Sequence, residues 1–186
     1  MAVTPSTMLE LGTIIPDFDL LSTENQRLSR EDVVGSKGLL VCFICNHCPF
    51  VIHVAPELAR IGKDFPQMGI GVVAINSNDT ENYPEDSFDR MVDEKQNRGY
   101  SFPYLFDESQ SVARSFDAAC TPDFFLFDSS KRLYYRGRLD ESRPGNDIIS
   151  DGKDLRSAAD SMLAGTNPPE KQSPSMGCNI KWFPDK

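Results

Sequence analysis

Apolar positions fall into two patterns along the chain. Leu39-Leu40-Val41-Cys42-Phe43-Ile44 is a continuous apolar run, as expected of a central strand covered on both faces, and Ile70 to Ile75 (IGVVAI) is a second run rich in branched side chains. Between them Val51, Val54, Ala55, Leu58 and Ile61 recur at helical spacing behind Pro49, a residue suited to a first turn, so a helix is predicted to begin at or near Cys48. Pro56 falls inside that pattern and should bend the helix. Phe88, Met91 and Val92 keep helical spacing in a segment opened by Pro84-Glu85-Asp86 and stopped by Gly99. Phe102 to Phe106 reads as a short strand, Ser109 to Asp117 as a brief helix, and Asp123 to Phe127 with Leu133 to Arg136 as an antiparallel hairpin. After a loop from Gly137 to Gly152, Leu155, Ala158, Ala159, Met162 and Leu163 form a last amphipathic stripe that ends at Gly165. Upstream, Gly12 to Leu28 reads as two short extended pieces around Ser22-Thr23-Glu24-Asn25, and the proline-dotted tail after residue 165 reads as extended.

This alternation predicts an α/β layer structure with a central mixed sheet flanked by helices and an N-terminal β extension. With no repeat and no sharp composition shift, the 186 residues are expected to form a single domain, its core spanning about 10–165 and its tail 166–186. In open sheets of this kind the reactive site lies beyond the carboxyl ends of the strands, and Cys45 to Cys48 falls there.

Composition narrows the function. Hydrophobic residues at 39% and charged residues at 25% describe a chain able to bury a full core, and a net charge of −9 repels nucleic acid and anionic membranes. The start, MAVTPSTMLEL, has neither a basic nor an apolar leader region, and no stretch approaches the roughly 18 apolar residues of a membrane span. A cytoplasmic protein is the expectation.

Five cysteines cannot all pair within one chain, and three of them, Cys42, Cys45 and Cys48, lie within seven residues. Cys45 and Cys48, at i and i+3 where a strand gives way to a helix, are close enough to bridge, and helix N–H groups there stabilise a thiolate. Cys45, just before the helix, is expected to be the better-exposed nucleophile, with Cys48 placed to resolve a mixed disulfide. His47 between them is expected to add positive charge and lower a thiol pKa. Cys42, inside the strand, reads as a small core residue, and His53 as a surface or satisfied histidine. The competing class is a binding protein in which Cys42, Cys45 and Cys48, with His47 and His53 nearby, hold a metal or cluster. Alternating side-chain directions along a strand oppose it, and neither metal nor cofactor is expected.

Cys45-Asn46-His47-Cys48, the opening Leu11-Gly12-Thr13-Ile14-Ile15-Pro16-Asp17-Phe18-Asp19-Leu20, and Thr121-Pro122 ahead of Phe124 to Asp128 together resemble the thioredoxin superfamily, in particular its peroxiredoxin-like branch of alkyl-hydroperoxide-reductase type. The resemblance implies a thioredoxin-like fold and a cis bond at Thr121-Pro122. It also implies that this loop shields the disulfide and presents the Thr121 backbone to a substrate strand, with Cys120 beside it able to approach the pair. The implied activity is thiol–disulfide exchange through Cys45 and Cys48, with thiol peroxidase as the alternative. Against peroxiredoxins, Cys48 falls on the peroxidatic position, but Cys45 stands where Thr or Ser is expected, Val41 where Pro is expected, and Pro122 where Arg is expected. Cys178, in Ser175-Met176-Gly177-Cys178-Asn179-Ile180-Lys181-Trp182, reads as a packed tail anchored by Trp182 or as a distal resolving or intersubunit thiol. Expected partners are protein or small-molecule disulfides and thiols, with a thioredoxin-type reductant and, as the candidate assembly, a homodimer.

Overall fold

The computed structural model describes residues 3–184. Its elements follow as β1 (Val3–Pro5), β2 (Asp19–Ser22), β3 (Arg27–Ser29), α1 (Arg30–Val33), β4 (Gly38–Phe43), α2 (Pro49–Gln67), β5 (Ile70–Asn76), α3 (Phe88–Arg98), β6 (Tyr104–Phe106), α4 (Ser111–Ser115), β7 (Cys120–Thr121), β8 (Asp123–Asp128), β9 (Leu133–Gly137), α5 (Lys153–Leu163) and β10 (Met176–Asn179). Seven strands form a mixed sheet in the order β3-β2-β6-β5-β4-β8-β9. β4, β5 and β6 run parallel, and β8 returns antiparallel beside β4.

The two continuous apolar runs occupy the centre of this sheet because both their faces are covered. Leu40, Cys42 and Ile44 pack into the core shared with α2, α3 and α5. Leu39, Val41 and Phe43 point the other way, into a core where the ring of Phe116 lies 5.3 Å from Phe43, 5.6 Å from Phe125 and 5.9 Å from Phe127, each edge-on. Edge-to-face contacts of this kind add to the area each ring buries.

Helix α2 begins with Pro49 behind Cys48 as its N-cap, and it continues through Pro56 to Gln67. Its apolar face holds it in place: Val51, Val54, Leu58, Ile61 and Phe65 are all buried. Each is worth roughly 1.5–3 kcal/mol, which together outweigh the roughly 3 kcal/mol cost of an interior proline. The segment opened by Pro84 differs from expectation. Pro84–Asp86 is a separate 3-10 turn, Ser87 is extended, and α3 starts at Phe88. The cause is Asp86, whose side chain turns inward and is fully buried.

A second sheet, β1-β10-β7, joins a strand from each end of the described chain to the mid-chain β7. Val3 and Thr121 flank Cys178 on either side in register. Within the tail, Met176–Asn179 is thus a paired strand where the sequence predicts only an extended segment. Trp182 is packed against the aromatic core with the Arg114 guanidinium 4.6 Å above its ring. β7 leads through a cis Thr121–Pro122 bond into β8, whose Asp123 is the register partner of Phe43. This pairing brings the Thr121-Pro122 loop to the carboxyl end of β4, where Cys45 and Cys48 lie.

Candidate active site

Cys45 leaves the end of β4 and Cys48 caps α2, so the pair sits where strand ends and helix begins. Both sulfurs are enclosed, Cys45 at 1% exposure and Cys48 at 0%. The expected difference in exposure between them is absent, because Thr121 lies against both sulfurs and Cys178 of β10 lies against Cys48. Cys45 Sγ is 3.3 Å from the Thr121 hydroxyl, and Cys48 Sγ is 3.1 Å from the Thr121 carbonyl. On its other side Cys48 Sγ lies 2.8 Å from Cys178 Sγ. Three thiols and one threonine therefore share a single buried volume.

Charge is distributed unequally among these thiols. A hydrogen bond from Cys45 holds Cys48 down to about 5 against its burial, helped by the Cys178 thiol and by the backbone N–H groups of Val51 and Cys178. This is the N-terminal helix environment that favours an anion. The Thr121 carbonyl opposes it, since that oxygen accepts only from the protonated thiol. Cys45 is driven well above its ordinary value, first as donor to Cys48, then by burial and by the charge of Asp86. Cys178 is pushed up to about 12 by burial and by donating to Cys48. The thiolate character of the site rests on Cys48.

Asp86, to which the sequence assigns no fixed role, is central to the site. It is fully buried, accepts from the Asn46 backbone N–H at 2.8 Å and from Asn78 Nδ2 at 2.7 Å, and lies 2.8 Å from His47 Nδ1. The His47 contact is off hydrogen-bond alignment, so the attraction is one of charge. The Asp86 carboxylate holds the His47 imidazolium above its usual range. Whatever positive charge His47 carries lies against the Asp86 carboxylate, which largely offsets it. Its ring stacks on Tyr83 at 6.0 Å, and the Lys181 ammonium lies 5.5 Å over the other ring of that stack. Asn46 is fixed as well, donating to the Glu85 carbonyl at 3.0 Å and accepting from Tyr104 Oη at 3.0 Å. In the sequence Asp86 stands out only as part of the Pro84-Glu85-Asp86 helix opening, which does not reveal that its carboxylate is buried.

The remaining predicted residues are placed as follows. Thr121 is buried and its strand edge is taken by β10, so the chain's own tail occupies the edge assigned by resemblance to a substrate strand. Cys120 is buried and its thiol donates to the Pro122 carbonyl at 3.6 Å, away from the cysteine pair. Cys42 is a fully buried core residue whose thiol is pushed far up by burial. His53 bonds the Ser142 hydroxyl through Nε2. Among the described residues, the metal-type donors that come within 4.8 Å of one another are those of Cys45, His47 and Asp86, so the three-cysteine set with Cys42 is not assembled. Both Asp86 oxygens already accept hydrogen bonds. No helix among the described residues is long and apolar enough to cross a membrane.

Comparison with known proteins places this geometry. The sequence profile of the AhpC/TSA family matches residues 11–136. An uncharacterized conserved protein from Geobacillus kaustophilus is 48% identical, with a TM-score of 0.97 over 100% of this chain and 99% of that one. The thioredoxin domain of a thiol-disulfide oxidoreductase from Bacteroides vulgatus is 16% identical and superposes with a TM-score of 0.62 over 83% of this chain and 99% of that one. The fold is thioredoxin-like. The thiol-disulfide oxidoreductase ResA of Halalkalibacterium halodurans is 24% identical over 122 residues, covering 66% of this chain and 65% of ResA, under two thirds of its length.

Proposed function

The chain belongs to the AhpC/TSA family, and from that premise we propose that it is a thiol–disulfide oxidoreductase that exchanges disulfides through Cys45 and Cys48. The observation that carries the reading is that Cys45 and Cys48, at the end of β4 and the head of a 19-residue helix, lie together against Thr121, with Cys45 Sγ 3.3 Å from its hydroxyl and Cys48 Sγ 3.1 Å from its carbonyl. The Cys48 thiolate attacks one sulfur of a substrate disulfide, forming a mixed disulfide and expelling the other sulfur as a thiolate that takes up a proton. Cys45 then loses its proton to the medium and attacks Cys48 Sγ. The second substrate thiolate leaves and a Cys45–Cys48 disulfide remains. A dithiol reductant of thioredoxin type resets it by the reverse steps.

In this scheme Cys48 starts the reaction and Cys45 resolves it, the opposite order from the one suggested by position in the sequence alone. His47 and Asp86 act on the thiols together: the imidazolium favours the thiolate, and the carboxylate keeps the proton on Cys45. The Thr121-Pro122 loop forms the wall through which a substrate must approach.

Glutathione redox titration of the purified protein, with disulfides mapped by mass spectrometry, tests this reading. A reversible Cys45–Cys48 couple between roughly −270 and −120 mV is expected. Absence of any disulfide between these two residues would overturn it. The enclosure of Cys48 supports a second reading, thiol peroxidase, because a small oxidant reaches a buried thiolate more readily than a protein disulfide does. Catalytic consumption of hydrogen peroxide at substoichiometric protein distinguishes the two.

A further inference from the structure

The exchange scheme leaves one thiol of the buried cluster unused. Cys178 Sγ stands 2.8 Å from Cys48 Sγ, and a disulfide bond spans about 2.05 Å, so closure asks for a sulfur movement of less than about 1 Å. We propose that Cys178 is a second resolving thiol, and that the Cys48 sulfur closes a disulfide with Cys45 or with Cys178 in turn. This inference rests on the exchange reading above.

The position of Cys178 is set by backbone. Its strand pairs with Thr121 on one side and Val3 on the other. Beyond it, the Ile180 N–H donates to the Ala119 carbonyl at 3.0 Å, the Lys181 N–H to Asn78 Oδ1 at 2.9 Å, and the Asp79 N–H to the Lys181 carbonyl at 2.8 Å. Before it, Gly177 lies so close to Thr121 that a Cβ there would stand 2.0 Å from the Thr121 carbonyl oxygen. A residue threaded this tightly presents its side chain in one direction, and that direction is Cys48. The Lys181 ammonium, held by the Asn179 carbonyl and side chain at 2.9 and 3.0 Å, adds the positive charge that helps a Cys178 thiolate form. Cys120, the register neighbour of Asn179, bonds instead to the Pro122 carbonyl and serves as the internal contrast.

Two reactions follow, each balanced. In the first, the Cys48 thiolate attacks a disulfide such as glutathione disulfide, one glutathione thiolate leaves, and Cys178 displaces the second from Cys48. One external disulfide is reduced to two thiols, which take the protons given up by Cys48 and Cys178, and a Cys48–Cys178 disulfide forms. In the second, Cys178 attacks Cys48 Sγ of an existing Cys45–Cys48 disulfide and Cys45 departs, taking the proton that Cys178 lost. No net oxidation occurs in this step. It frees Cys45 while Cys48 stays covalently held, so the protein stores the same two oxidising equivalents in either of two alternative bonds.

The test uses the full chain as wild type, Cys45→Ser, Cys178→Ser and the double variant, each oxidised with glutathione disulfide, acid-quenched, alkylated and mapped by mass spectrometry. The proposal expects Cys45→Ser to form an intramolecular Cys48–Cys178 disulfide, and its glutathione adduct to be lost roughly tenfold or more faster than that of the double variant, since the second thiol is already in place. It also expects linked Cys48 and Cys178 peptides in partly oxidised wild type, a measurement that depends on no substitution. A persistent Cys48–glutathione adduct in Cys45→Ser, with Cys178 still free and no such linkage in wild type, overturns it. Cys178→Ser reports separately on the parent reading: if it forms no Cys45–Cys48 disulfide, exchange by the pair fails, whatever Cys178 does.

Discussion

Asp86 Oδ2 lies 2.8 Å from His47 Nδ1 while Oδ1 of the same carboxylate accepts from the Asn46 backbone N–H, so one buried side chain holds both residues that separate the two thiols. Asp86→Asn should therefore lower the His47 pKa, because the carboxylate is the main cause of its rise. A histidine whose folded pKa is raised contributes stability that is complete below its unfolded value near 6.5 and is lost as pH rises through the folded value. That contribution should vanish in the variant. An NMR titration of the His47 ring checks it, and an unchanged midpoint would show that Asp86 does not control the imidazole.

Thiolate formation at Cys48 should titrate near pH 5 in wild type, followed by ultraviolet thiolate absorbance with and without Cys48. Because the first cause of that low value is the hydrogen bond from Cys45, Cys45→Ala should move the midpoint upward. A midpoint that stays put would place the stabilisation in the Cys178 thiol and the backbone N–H groups of Val51 and Cys178.

Asp123 carries a different pH signature. Its Oδ1 accepts from the Ser6 hydroxyl at 2.9 Å, its Oδ2 has no hydrogen-bond partner among the described residues, and burial pushes the carboxyl up to about 7. The folded state then holds a proton that the unfolded state has released, so stability should fall as pH rises from about 4 to about 7, by on the order of 4 kcal/mol at most. Urea denaturation across this range should show the slope in wild type and lose it in Asp123→Asn.

Gly177→Ala should be costly for reasons of space alone. The added methyl meets the Thr121 carbonyl at 2.0 Å and the Pro122 nitrogen at 3.1 Å, so β10 must move away from β7. Overpacking of this sort costs about 1–3 kcal/mol. Denaturation measures that loss, and the same displacement should reduce the yield of the Cys48–Cys178 disulfide. A variant as stable as wild type would mean that β10 is free to shift.

What could be read from the sequence was what local chemistry dictates. β4, β5 and the β8–β9 hairpin follow from apolar runs and turn residues, and the start of α2 at Cys48 follows from Pro49 behind a capping position. The cis Thr121–Pro122 bond and the thioredoxin-like fold came through resemblance. The helix expected from Pro84 was misplaced because a buried Asp86 spends its hydrogen bonds on Asn46 and Asn78, partners 40 and 8 residues away. Cys178 was visible only as a tail cysteine, since its meeting with Cys48 depends on strand register across 130 residues. For the same reason the enclosure of Cys45 was not foreseen: what covers it arrives from elsewhere in the chain.

The small sheet also bears on the order in which the protein assembles. β4, α2 and β5 are neighbours in sequence, whereas the Ser6–Ser175 contact beside β1 and β10 closes a separation of 169 residues. Loop closure over such a span is entropically expensive, and contacts of this kind form late in folding. On this ground Cys48 is expected to take its place as a helix cap before Cys178 reaches it, and pulsed alkylation during refolding should label Cys178 for longer than Cys48. The strand expected to dock last is the one that brings the third thiol to Cys48.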